Sequence, residues 1–113
     1  PRHQLAASVH IYWGTPSAPD DSTCAPASCW SGTLAPLAAQ VPVVVGEFGE
    51  YDCGSELYRP FLRFADRHGI SYLIWAWYVG SCTGFPSVIS SYGGTPTAFG
   101  AGYRRHLAAL HGG

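Results

Sequence analysis

Two hydrophobic patterns alternate along the chain, one with the period of a strand and one with the period of a helix. Ala6 to Trp13 (Ala-Ala-Ser-Val-His-Ile-Tyr-Trp) is short and rich in β-formers, and it reads as a strand. Strand side chains alternate between faces, so His10 and Tyr12 share one face while Val9, Ile11 and Trp13 take the other. Val41 to Phe48 is a β-branched run entered through Pro42, the pattern of a strand buried on both faces. Ile70 to Tyr78 is almost continuously apolar and aromatic and predicts a third buried strand. Helical spacing fills the intervals. Leu34 to Gln40 gives one or two turns around Pro36, and Leu57, Phe61, Leu62, Phe64 and Ala65 make a wide apolar helix face. Pro60 is tolerated only in a first turn, so that helix starts near Tyr58 and runs to about His68, with Gly69 as its C′ residue. A last helix follows Thr95-Pro96, read as N-cap and N1 proline. It carries Phe99, Tyr103, Leu107 and Leu110 along one stripe and stops at Gly112.

The resulting order is β-α-β-α-β-α, with strands starting at Ala6, Val41 and Ile70. Repeated βα units of this size imply an α/β fold with parallel strands and right-handed crossovers. Three strands are an incomplete layer. The chain is therefore either a small three-layer domain or a slice of an eight-unit barrel, and the slice is favoured because such barrels need about 250 residues. A strand so close to Pro1 reads as a truncated start, and the whole of 1–113 is taken as one unit. Gly14–Thr33, Tyr51–Gly54 and Gly80–Gly94 are left as loops.

Composition narrows the class. Hydrophobic residues make up 47% and aromatics 14%, which argues against disorder. The net charge of −1 offers no electrostatic reason to expect nucleic acid or an anionic membrane as a partner. No apolar run is long enough for a transmembrane helix. Four cysteines, Cys24, Cys29, Cys53 and Cys82, contain no Cys-x-x-Cys pair and no histidine at zinc-finger spacing, so neither a metal nor another cofactor is expected. In a lightly charged chain without lysine they fit a secreted, disulfide-bonded protein, with three pairings open.

Chemistry concentrates at the strand ends. In Val43 to Glu50 the apolar run stops at Gly46, and Glu47 puts a carboxylate where the strand runs out. Such an acid costs desolvation unless partners or a substrate use it, and the carboxyl ends of barrel strands are where active sites lie. His10 and Tyr12 near the end of the first strand are either satisfied core groups or part of the same site.

Taken together, these residues resemble glycoside hydrolase family 5, the cellulase-type (β/α)8 barrels, over the C-terminal portion covering strands six to eight. The resemblance is carried by His10-Ile11-Tyr12, by Val45-Gly46-Glu47-Phe48-Gly49 and by Trp75-Ala76-Trp77, in that order. It extends to Ser-Tyr-Gly-Gly-Thr-Pro-Thr-Ala at 91–98. It implies a retaining glycosidase, an endo-β-1,4-glucanase or relative acting on a plant-type polysaccharide. Glu47 would be the nucleophile, Tyr12 would donate its hydroxyl to Glu47, and His10 would touch the nucleophile's surroundings or a sugar hydroxyl. Trp75 would be the sugar platform, with Trp77 on the same side nearer the mouth, and Trp30 is a further candidate stacking surface.

Two departures stand beside it. A retaining site needs a second carboxylate about 5 Å from the first. The family supplies it from an Asn-Glu pair, and this chain has no asparagine. The arginine that the family carries on an early strand is missing as well. Glu50 and Asp52 belong to the loop and fit solvated or capping roles. A sugar-binding or degenerate module without catalysis is the alternative function, and an unrelated three-stranded α/β domain a further one. Cys53 and Cys82 each fall just beyond a neighbouring strand end, which predicts Cys53–Cys82 and leaves Cys24–Cys29 to close the long loop. The expected partners are a poly- or oligosaccharide and the rest of the barrel, or a second copy if the piece is isolated.

Overall fold

The computed structural model describes residues 4–14, 24–80, 82 and 84–112. Within them three strands, β1 (Ala7–Trp13), β2 (Val43–Glu50) and β3 (Ser71–Ile74), form a parallel sheet in the order β1-β2-β3. One face is covered by α3 (Tyr58–Arg67) and α4 (Ala98–His111), and the other is open. The α/β class, the parallel strands and their sequential order are those expected.

The covered face holds the core. Ile11, Trp13, Val43, Val45 and Phe48 meet Tyr58, Phe61, Leu62, Phe64 and Ala65 of α3 and Phe99 of α4. Aromatic rings interlock edge-on, with Tyr58 and Phe99 at 5.0 Å and Phe48 and Tyr103 at 5.5 Å between centroids, an arrangement their quadrupoles favour. The buried Tyr58 hydroxyl donates to the Phe99 carbonyl at 2.7 Å and so ties α3 to α4. Leu57 and Leu110, expected on apolar stripes, are exposed instead. Leu57 precedes the first residue of α3, and Leu110 lies in the last turn of α4.

Four boundaries differ from the sequence reading, each for a backbone reason. The long loop gives way at Ala27 to helix: α1 (Ala27–Cys29), a π-helical turn (Trp30–Leu34) and α2 (Ala35–Ala38) run on continuously. Pro36 follows directly on the π-helical turn, whose last bond is from Ala35 N–H to Trp30 O. Residues 15–23 of that loop lie outside the described residues. β2 starts at Val43 and continues to Glu50, because Tyr12 and Trp13 go on pairing with Gly49 and Glu50. β3 ends at Ile74, four residues early. Beyond it Ala76 N–H bonds to Pro86 O and Ala76 O accepts from Val88 N–H, so the backbone leaves β2 for the segment at 86–88. Finally, α4 is capped by Thr97, whose Oγ1 accepts from Gly100 N–H at 3.1 Å, and Pro96 precedes the cap. Gly69 does end α3, in the left-handed region at φ 64°.

Candidate functional site

A single irregularity in β2 builds the site. Val9 pairs with Val45 but His10 pairs with Glu47, so Gly46 is an extra residue in β2. Val45 and Phe48 both face the helices although they are three positions apart, and Glu47 is turned to the open face. Without the bulge Glu47 would follow Val45 into the core. A side chain on Gly46 would crowd Ser8 Oγ at 3.0 Å and His10 Nε2 at 3.4 Å, which suits glycine to the position.

The register then assembles three groups. Tyr12 OH donates to Glu47 Oε2, and His10 Nδ1 lies 3.3 Å from the same oxygen, an ion pair whenever the imidazole is protonated. Burial, the bond to Glu47 and the nearby carboxylate charge raise the Tyr12 phenol far above the ordinary tyrosine range, so it stays a donor. Glu47 remains a quarter exposed and open to an incoming molecule. Chemically this is an oriented carboxylate with one neutral and one titratable donor. It can accept a proton, hold a hydroxyl or attack an electrophilic carbon.

The tryptophans divide. Trp75 is 41% exposed just past β3. Trp77 is 71% exposed and lines a groove of about 420 Å³ with Ile74, Val88, Tyr103 and Leu107. It therefore does not share Trp75's strand face: β3 has already ended, and strand alternation does not reach it. Trp30 is no stacking surface. It is 8% exposed, its indole N–H donates to Cys24 O at 2.9 Å, and its ring packs on Phe61 at 5.3 Å and Phe64 at 5.9 Å. The helical turn, missed in the sequence, turns it into the core.

The two acids that follow Glu47 in sequence are structural. Glu50 caps α3, and Asp52 Oδ1 accepts from Gly54 N–H at 2.8 Å. Both disulfides are present, Cys24–Cys29 and Cys53–Cys82, with Cα separations of 5.3 and 5.2 Å. The second joins the loop after β2 to the loop after β3. Among the described residues no cluster of three or more potential metal ligands occurs. Sequence reasoning missed Pro86, whose ring packs near Tyr12 over Gly49; its signal was the need for something to cover a glycine beside a strand-end tyrosine.

No family model and no curated protein matches the chain. Solved structures do. A β-glucanase from Saccharophagus degradans in its native form superimposes with a TM-score of 0.64 at 20% identity, over 93% of this chain and 34% of the enzyme. The same enzyme in complex with cellotetraose gives 0.64 at 19% identity, with the same coverage. The chain thus spans about a third of the length of these structures and has the α/β fold of part of a glucanase barrel.

Proposed function

We propose that this chain carries the nucleophile side of a retaining glycoside hydrolase of the family 5 type, secreted and acting on a β-1,4-linked glucan or mannan. The observation that carries the reading is the Glu47 carboxylate at the end of β2, held between the Tyr12 hydroxyl and the His10 imidazole on the open face. Glu47 would attack the anomeric carbon, breaking the glycosidic bond and forming a glycosyl ester that water then hydrolyses. Tyr12 fixes which lone pair faces the sugar, and Trp75 offers a flat apolar face to the pyranose ring. The general acid that protonates the leaving oxygen would come from outside this chain, which lacks the family's Asn-Glu pair; Glu50 and Asp52 are engaged elsewhere. The like-folded β-glucanase is solved with cellotetraose, which supports a β-linked glucose oligomer as ligand. Two disulfides fit an extracellular setting.

The test is covalent trapping in the full-length protein with a 2-deoxy-2-fluoro-β-cellobioside bearing an activated leaving group. The adduct should appear on the peptide containing Glu47, and Glu47→Gln should abolish it while lowering kcat by several orders of magnitude. An adduct on another residue, or a variant keeping more than about a tenth of the activity, overturns the assignment. A second reading, saccharide binding without turnover, draws on the exposure of Trp77. It predicts cellotetraose binding that survives Glu47→Gln in a protein that never turns over.

A further inference from the structure

Gly49 is the partner of Tyr12 across the β1–β2 ladder, and it lies two residues past Glu47. A Cβ built on it would stand 2.6 Å from Pro86 Cγ, 2.8 Å from Pro86 Cβ and 3.0 Å from Tyr12 Cε1. The pyrrolidine and phenol rings thus both border the space that a side chain at Gly49 would fill. Pro86 is fully buried, and its backbone has little freedom. Its carbonyl accepts from Ala76 N–H at 2.9 Å, and the next carbonyl, of Ser87, accepts from Thr97 Oγ1 at 2.6 Å. The Cys53–Cys82 bridge anchors the same segment, with Cys53 Sγ 3.6 Å from Ser87 O. The Tyr51 ring also packs on Tyr12, at 5.5 Å.

We propose that Pro86, seated over Gly49, is the positioning residue that holds the Tyr12 hydroxyl on Glu47, so that the loop after β3 sets the geometry of the carboxylate. Ala76, which holds Pro86, is the residue between Trp75 and Trp77, so a sugar seated on Trp75 and the Tyr12–Glu47 pair answer to one segment. The consequence for turnover rests on the glycosidase reading above; the positioning itself does not.

The experiment separates the two. The full-length protein is labelled with 3-fluorotyrosine, the Tyr12 fluorine resonance is assigned by its loss in Tyr12→Phe, and kcat and KM are measured on an aryl β-cellobioside. Gly49→Ala should move the Tyr12 resonance and lower kcat about tenfold with KM within about twofold, because ground-state binding is untouched. Adding Gly49→Ala to Tyr12→Phe should change kcat by less than about twofold, which a merely structural lesion would not reproduce. Pro86→Ala, which opens the site without adding bulk, should also shift the Tyr12 resonance, and combined with Gly49→Ala it should return the resonance toward its original place. A Tyr12 resonance unmoved in Pro86→Ala overturns the proposal even where Gly49→Ala fails to fold. So does an equal fold-loss from Gly49→Ala with and without Tyr12. A protein with no turnover whose resonance responds as described would sink the glycosidase reading and keep the positioning.

Discussion

Glu50 Oε2 accepts the backbone N–H of Leu57 at 3.1 Å and so closes the loop between β2 and α3. The same oxygen takes the Tyr58 N–H at 3.3 Å, and the side chain is 2% exposed. A helix start leaves N–H groups without partners, and here a residue seven positions upstream supplies the acceptor. Burial raises the Glu50 carboxyl above its ordinary 4.5; the two N–H groups pull the other way, and the Asp52 charge adds to the rise.

The pH dependence follows from that direction. With the folded value above 4.5, the native state keeps its proton where the unfolded chain has lost it. The stability contributed is complete below 4.5 and is lost as pH rises through the folded value. Glu50→Gln keeps an acceptor but does not titrate, so its melting temperature should fall less than the wild type's as pH rises above 4.5. Glu50→Ala should cost about 1–3 kcal/mol by leaving both N–H groups unpaired. Thermal melts across that range check both, and parallel curves for wild type and Glu50→Gln would refute the linkage.

Four tyrosines make the alkaline limb steep. Tyr12, Tyr58, Tyr72 and Tyr103 are all raised above the ordinary 10.0, burial being the largest cause in each. Their contribution is complete below the unfolded value and is lost as pH climbs past it, since only the unfolded chain then gives up the protons. The phenolate absorbance of these four should therefore appear in step with loss of the helical signal, in one cooperative transition. Titration of any of these four ahead of unfolding, read as its loss in the matching Tyr→Phe variant, would contradict it. Tyr72→Phe should soften the transition, although it also removes the 2.7 Å bond to Asp66 and the 3.0 Å contact with His106.

Trp30 and Trp77 should behave as opposites. Trp30→Ala opens a cavity between Phe61 and Phe64 and should cost about 3–5 kcal/mol in a denaturant titration. Trp77→Ala, at an exposed site, should stay within about 0.5 kcal/mol of wild type. Equal losses from the two would mean that one of them is misplaced.

What the sequence revealed divides along the same line. Strand alternation put His10 and Tyr12 on one face, and the break of the apolar run at Gly46 marked where Glu47 emerges; both signals are local, and both held. The pairing of Cys53 with Cys82 was readable because each follows the end of a neighbouring strand. Trp30, Pro86 and the early end of β3 were not legible, because each depends on a partner far along the chain. Trp30 answers to Phe61, Pro86 to Gly49, and the backbone after Ile74 to the carbonyl and amide groups of 86–88. Periodicity reports which face a side chain takes, and it is silent on what arrives to cover it.

The open face gives the last prediction, for this 113-residue chain made alone. β1 and β3 are the sheet's two edges, so each offers unpaired backbone groups along one side. Leu73 of β3, at 59% exposure, and Trp75 just past it leave large apolar side chains uncovered. Burying apolar surface returns roughly 25 cal/mol per Å², so a second copy laid against this face is favoured over water. The isolated chain should sediment as a dimer or larger, and it should not hydrolyse an activated aryl glycoside because Glu47 without a second carboxylate about 5 Å away does not make a retaining site. Leu73→Arg should shift it toward monomer, since a guanidinium buried between two copies would be desolvated without a partner. A monodisperse monomer that turns over substrate would show instead that the chain is complete for catalysis, with Glu50 or Asp52 leaving its capping role to act as the acid.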